Sequence, residues 1–270
     1  MNAARRALVK AHWLLAGQFG IDPLRFLSSF LALPRFLRDW IRFRSAYSGR
    51  LSLVPCLHDW NEQGGATDSE YFWQDLLVAR WIFEARPHRH VDIGSRVDGF
   101  VAHVASFRQI EVFDVRPILT EVPGVVFRQA DLTQADFMLQ FDGANGVGLC
   151  DSLSCLHAVE HFGLGRYGDP VDPLGYARGI ANLARLISAR GRLYLSTPIG
   201  RERVEFNANW VFDPRTIVRC ASSHGLHAER LTVIGSGGHP TEGDLSDDRL
   251  LELARAEYNL GVFVFTKADS

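Results

Sequence analysis

The sequence contains no run of about 18 apolar residues, no Cys-x-x-Cys pair, no zinc-ligand spacing and no Gly-x-Gly-x-x-Gly turn. The first absence argues against a transmembrane helix. The second and third argue against a structural zinc site or a dithiol redox centre. The fourth argues against a nicotinamide dinucleotide site, whose pyrophosphate needs that glycine spacing. Only four cysteines occur among 270 residues, Cys56, Cys150, Cys155 and Cys220. Cys150 and Cys155 lie in an apolar stretch and are expected in the core, a usage that fits a reducing compartment. No secretory signal is read either, because the apolar patch after Arg5 and Arg6, Trp13 to Ala16, is too short. The expectation is a cytoplasmic protein.

Net charge is only -2, so nothing global suggests a nucleic-acid partner. What charge there is lies unevenly. Residues 1–50 hold nine Lys or Arg against Asp22 and Asp39, a charge of +7, which leaves -9 for the remainder. Three helical stretches are expected in this arm, at residues 3–16, 23–33 and 34–47. The last sets Phe36, Leu37, Trp40, Ile41 and Phe43 against Arg35, Arg38, Arg42 and Arg44. Such a basic amphipathic arm suits either packing on the main domain or peripheral contact with an anionic membrane at its inner face. The division expected is a basic helical extension over 1–67 and a main domain over 68–270.

The main domain opens with a helix over 68–85, capped by Asp68 or Ser69, with Tyr71, Phe72, Leu76, Leu77 and Trp81 facing inward. From residue 89 strands alternate with helices. Strands are expected at 90–93, 109–114, 125–128, 152–157, 192–196, 228–234 and 261–266, and helices at 100–107, 174–188, 214–224 and 249–257. This alternation predicts an α/β, doubly wound, mostly parallel sheet of seven strands. The long polar segment 235–248 before the last strand suits an antiparallel insertion of that strand.

Three acid- or glycine-bearing turns follow the first three strands. Val91-Asp92-Ile93-Gly94-Ser95-Arg96-Val97-Asp98-Gly99 places a glycine where the chain turns from strand to helix, and the helix N-terminus offers free N–H groups. Gly99 also permits close helix–sheet contact. In Glu111-Val112-Phe113-Asp114-Val115-Arg116, Asp114 ends the next strand, 20 positions after Gly94, where a carboxylate can accept both hydroxyls of an adenosine ribose. In Phe127-Arg128-Gln129-Ala130-Asp131-Leu132, Asp131 can accept an adenine amino group while Leu132 packs on the ring. Ligands of open α/β sheets gather at these strand ends.

Asp92-x-Gly94, Asp114 and Ala130-Asp131-Leu132 resemble the S-adenosylmethionine (SAM) motifs of class I methyltransferases, over roughly residues 70–270. The resemblance implies a Rossmann-like sheet with a reversed last strand. It implies SAM as cofactor, bound by Asp92, Gly94, Ser95, Gly99, Asp114, Val115, Asp131 and Leu132. Arg96 departs from the family, which often has glycine there.

The longest distinctive run is Asp151 to Pro170, including His157-Ala158-Val159-Glu160-His161-Phe162-Gly163-Leu164-Gly165-Arg166-Tyr167-Gly168-Asp169-Pro170. Together with Leu195-Ser196-Thr197-Pro198-Ile199-Gly200 and Phe206-Asn207-Ala208, it closely resembles the domain of unknown function 268 family, which is grouped with the SAM methyltransferases. Methyl transfer to a hydroxyl needs the acceptor held in line and its proton removed. His157, Glu160 and His161 cluster where such a base is wanted. Metal binding is a second role open to them, disfavoured for magnesium by histidine in place of an oxygen ligand. Structural hydrogen bonding is a third, and no metal is expected. Arg166, Tyr167, Asp169, Arg201, Arg203, Asn207 and Asn209 fall in the loops expected to form the acceptor pocket, of which Arg166, Tyr167, Asp169, Arg201 and Asn207 are the substrate-binding candidates. Their hydrogen-bonding side chains suit a hydroxylated, sugar-like acceptor. A SAM- or nucleotide-binding module without catalysis is the alternative.

Overall fold

A computed structural model describes residues 8–9, 11–61, 64–134, 137, 148–235 and 237–269. Two compact units divide the chain, Met1–Ala66 and Thr67–Ser270.

In the first unit a π-helical turn, Leu14–Gln18, precedes one long helix, α1 (Pro23–Ala46). The expected first helix lies partly outside the described residues, and the expected break at Pro34 is absent. Asp22 caps α1 by accepting from the N–H groups of Leu24 and Arg25, both at 3.0 Å, and Pro23 occupies the first helical position. Pro34 forfeits one hydrogen bond without ending a helix otherwise built of Leu, Phe, Ala and Arg. No residue of α1 is buried. Among the described residues no helix is long and apolar enough to cross a membrane.

The second unit is built on an eight-stranded sheet. Its strands are β1 (His90–Ile93), β2 (Ile110–Asp114), β3 (Val125–Gln129), β4 (Cys150–Leu156), β5 (Ile187–Ile199), β8 (Leu226–Ile234), β9 (Pro240–Gly243) and β10 (Asn259–Lys267), in the order β3-β2-β1-β4-β5-β10-β8-β9. A two-stranded hairpin, β6 (Arg203–Glu205) with β7 (Asn209–Val211), stands apart. β1 to β5 run parallel, and β10 inserts antiparallel between β5 and β8. The reversed last strand is therefore present. The strand number differs from the expected seven, because β9 pairs with β8 inside the segment read as a polar loop. β9 is a short edge strand with no buried residue, so it carries no hydrophobic alternation, and its Pro sits at the first position where no ladder donor is needed.

Helices cover both faces. α2 (Glu70–Ala85) and α3 (Ala102–Ala105), the latter preceded by a π-helical turn at Val97–Val101, pack on one side. Val78, Ile82, Phe100, Val104, Ile110, Val112, Leu156, Tyr194 and Val262 form that core layer. α4 (Gly175–Leu186), α5 (Pro214–Ser222) and α6 (Asp247–Arg255) accompany the other, around Val91, Phe113, Leu153, Cys155, Ile180, Leu183, Leu193, Leu195, Phe263 and Phe265. Neighbours such as Phe263 and Val264 enter opposite layers, as the two-residue period of a strand buried on both faces requires. Cys150 and Cys155 are free and buried, as expected of them.

α2 begins two residues later than expected and is capped by Ser69, whose hydroxyl accepts from the Tyr71 N–H at 3.3 Å. Its inward face is rotated from the expected one. Gln74, Asp75, Val78, Ala79 and Ile82 are buried, whereas Phe72 and Leu76 are exposed and Tyr71 is only partly covered.

Candidate functional site

The strand order reverses between β1 and β4, and the crevice at such a switch point is where open α/β sheets bind ligands. A cleft of about 690 Å³ lies there, lined by the residues following β1, β2, β3 and β4, the first turn of α2 and Tyr258.

Its floor is the turn after β1. Gly94 has φ +73°, and a side chain there would meet the Ala158 methyl at 3.0 Å, so glycine is required both by conformation and by space. Beneath it Asp92 is fully buried and outside the cleft lining. Its carboxylate accepts from the Ser95 N–H at 3.0 Å, the Ser95 hydroxyl at 2.6 Å and the Ser154 hydroxyl at 2.5 Å. Ser154 is in turn 3.2 Å from His90 Nε2, and His90 Nδ1 is 2.8 Å from the Ser152 hydroxyl. With Ser154 donating to Asp92, His90 must donate from Nε2 and accept at Nδ1, as a neutral ring. Burial, with Arg108 nearby, pushes its pKa down to about 3. Burial pushes Asp92 up to about 7 despite its donors. Asp92 thus shapes the turn from below instead of touching a ligand. Ser95 lines the cleft, but its side chain is spent on Asp92 and on accepting the Leu156 N–H at 3.2 Å. Gly99 also lies outside the lining; a Cβ there would fall 2.5 Å from Asp75 Oδ2, so its role is close approach to α2.

Asp114, Val115, Asp131 and Leu132 line the cleft. Arg116 grips Asp114 with Nε at 2.9 Å and a terminal nitrogen at 2.6 Å, while its backbone N–H donates at 2.8 Å. Asp131 closes its own loop, accepting from the Thr133 N–H at 2.8 Å and the Thr133 hydroxyl at 2.7 Å through one oxygen. Its second oxygen has the longer Gln134 amide contact, 3.3 Å. Arg96, which also lines the cleft, pairs with Asp98 at 2.7 Å and lies 5.9 Å from the Tyr71 ring centroid.

The opposite wall is the segment after β4. His157 leaves the strand with φ +50°, and its N–H is shared between the Ser196 carbonyl at 3.2 Å and hydroxyl at 3.0 Å. The Ser196 hydroxyl donates to Gln74 of α2, which ties that helix to the site. His157 Nδ1 and Glu160 Oε1 are 2.8 Å apart, and both side chains are buried. Burial alone would lower the His157 pKa, but the hydrogen bond to Glu160 and the charges of Glu160, Glu70 and Asp75 outweigh it and leave it raised. Burial would likewise raise Glu160, and the same bond with the two histidines holds it low instead. Both shifts favour a proton on the ring and a charge on the carboxylate. Tyr71 stacks on His157 with centroids 4.4 Å apart, and burial beside Glu160 and Glu70 pushes its phenol up to about 12. His161 points Nδ1 at the Ala208 carbonyl, 2.7 Å away, and burial lowers its pKa.

Of the acceptor-loop candidates, Arg166, Tyr167, Asp169 and Asn209 line the cleft, and Arg201 and Asn207 do not. Arg166 donates to the Ala208 carbonyl at 2.9 Å and lies 5.1 Å over the Tyr167 ring. Asp169 accepts from the N–H groups of Gly163, Gly165 and Tyr167, so it organises the loop. Among the described residues no group of three or more His, Cys, Asp or Glu is arranged to hold a metal ion.

Glu70, Tyr71 and Tyr258 are among the cleft residues that the sequence pattern does not assign to the site. For the first two a signal existed: Glu70/Gln74 and Tyr71/Asp75 form polar steps of four residues leading into the apolar stripe Val78–Ile82, a pattern that buries polar groups at one helix end. Tyr258 has none, since it is 188 positions from its partner Glu70.

A family model described as a Caenorhabditis protein of unknown function, DUF268, matches residues 128–221, about a third of the chain. No curated protein matches in sequence. Among solved structures, the Burkholderia thailandensis 1,6-didemethyltoxoflavin-N1-methyltransferase, determined with its substrate and S-adenosylhomocysteine bound, superposes with a TM-score of 0.50 at 11% identity, over 75% of this chain and 80% of its own. The 4+2 cyclase SpnF superposes with a TM-score of 0.52 at 13% identity, over 78% of this chain and 87% of its own. The fold is thus one that a methyltransferase and a cyclase share.

Proposed function

We propose that this chain is a SAM-dependent methyltransferase acting on a hydroxyl of a sugar-like acceptor, and that the cleft holds both reactants. One observation carries the reading: a buried His157–Glu160 pair and a bare glycine turn line one cleft that also presents Asp114 and Asp131 in sheet order.

The residues present fit the cofactor. Gly94 leaves backbone open at the cleft floor, and Phe113, Ile118 and Leu132 offer apolar wall for a purine. Asp114 Oδ1 accepts both the Arg116 backbone N–H and Nε, whereas Oδ2 accepts one terminal nitrogen and keeps a lone pair for a ribose hydroxyl. Tyr71, Glu70 and Glu160 give the far end the aromatic and negative character that a sulfonium cation favours. SAM, when bound, supplies an electrophilic methyl group. The work of this chain's residues is to orient the acceptor and take its proton. His157 in its neutral form donates from Nδ1 to Glu160, which leaves Nε2 to accept the hydroxyl hydrogen. His161, fixed by the Ala208 carbonyl, and Arg166 are placed to hold the acceptor's other oxygens.

The methyltransferase neighbour with bound S-adenosylhomocysteine supports the cofactor. The glycan acceptor is supported only by the polar lining, and the inner membrane face as the site of action only by the arm described above. Incubation with methyl-labelled SAM and a panel of nucleotide- and lipid-linked sugars tests the activity. Label transferred by the wild type and reduced at least 100-fold in H157A is the expected result. Undiminished transfer by H157A would refute the assigned base, and cofactor binding without transfer to any acceptor would favour the non-catalytic module.

A further inference from the structure

The His157 imidazole is flanked on both nitrogens by carboxylates from different elements. Glu160 holds Nδ1 at 2.8 Å. On the other side Glu70 Oε1, from the first turn of α2, lies 3.5 Å from Nε2, too far for a hydrogen bond yet well within reach of its charge. That same oxygen accepts the Tyr258 hydroxyl at 2.8 Å, so its position is fixed from a third element, the chain entering β10. His157 Nε2 and Glu160 Oε2 are both buried without a hydrogen-bond partner. Unfilled buried polar atoms facing a cleft are the mark of a site that a ligand group completes.

We propose that Glu70, its carboxylate held by Tyr258, is a positioning residue for the proposed methyl transfer: it is the second carboxylate beside the His157 ring, and its charge strengthens the ring's hold on its proton. The inference rests on the reading of His157 as the acceptor's proton partner. The groups facing His157 are Glu70, Tyr71 and Asp75 from α2, Glu160 and His161 from its own turn, and Tyr258. Glu160 secures the ring's orientation through a hydrogen bond. Glu70 makes none to the ring, so its effect is charge. A base whose proton affinity is raised in this way removes a hydroxyl proton more readily once it has lost its own. An acceptor oxygen entering beside Nε2 also meets a ring already held in line.

The test needs neither cofactor nor acceptor. NMR of histidine ring C–H groups in the full chain follows the titration of each imidazole, with the His157 signal assigned by its loss in H157Q. In the wild type the His157 midpoint should lie above the ordinary histidine value. E70Q removes the charge but keeps an oxygen for Tyr258, and it should lower the midpoint by about one pH unit. E84Q changes a solvent-facing carboxylate on the same helix, paired with Arg80, and should leave the midpoint where it was. If E70Q does not fold, E70A carries the same expectation. A folded Glu70 variant with an unmoved or raised midpoint overturns the proposal, as does an equal shift in E84Q. Failure of SAM to bind would leave this result standing, and an unmoved titration would leave SAM binding standing, so the two readings fail separately.

Discussion

Asp92 and Asp114 end neighbouring strands and do different work. Asp92 is sealed under the Gly94 turn by three donors, and its carboxyl titrates near 7, above the ordinary aspartate value. A carboxyl raised in the folded state favours the proton there, so its contribution to stability is full below about 4 and is lost as pH rises through about 7. D92N cannot ionise. The wild type should therefore lose stability relative to D92N by a few kcal/mol between pH 4 and 8, whatever constant cost the amide brings. Urea denaturation at a series of pH values reads this directly, and a difference that stays flat with pH would contradict it. Asp114 instead lines the cleft, gripped by Arg116. D114A should weaken SAM binding by at least tenfold with little change in stability, a loss of about 1.4 kcal/mol that calorimetry resolves. Both acids were legible as strand-end residues, but their division of labour was not. Burial is decided by which way a strand residue faces, and of the two hydroxyls that satisfy Asp92 that of Ser154 comes from a second strand, β4.

The order of strands and helices was readable from the alternation of apolar runs with helical spacing, and the reversed β10 from the long connection before it. Three elements were misread, each for a local reason. Pro34 has the sequence signature of a break, yet α1 runs through it. β9 is exposed and polar, so no periodicity marked it. α2 was oriented by its largest apolar residues, whereas its buried face starts with Gln74 and Asp75 because that end serves the site. The consequence for α2 can be checked at Gly99, where any Cβ would meet Asp75 Oδ2. G99A should destabilise the protein by about 1–3 kcal/mol, measured by urea denaturation. α1 carries Phe26, Phe30, Leu37 and Ile41 at more than 45% exposure, together with Arg35, Arg38 and Arg42. If the proposed membrane contact is right, the full chain sediments with anionic but not neutral vesicles, and this weakens as salt is raised. Replacing the three arginines by glutamate should abolish it. Equal sedimentation with neutral vesicles would contradict an electrostatic contact.

At the scale of the molecule, the sheet brings together groups that the sequence keeps far apart. Glu70, His157 and Tyr258 meet because α2 precedes β1, His157 follows β4 and Tyr258 leads into β10. No local spacing announces that meeting, which is why the fold and the glycine and acid turns could be anticipated while Glu70 and Tyr258 could not. The two neighbours of this fold, one a methyltransferase and one a cyclase, show that architecture alone does not name the reaction. The cofactor is the point on which the rest of the account depends. Isothermal titration of the full chain with SAM tests it most directly. The account predicts one site per chain with a dissociation constant below about 1 mM, weakened at least tenfold in D114A. No heat of binding at millimolar SAM, from folded protein, would contradict it.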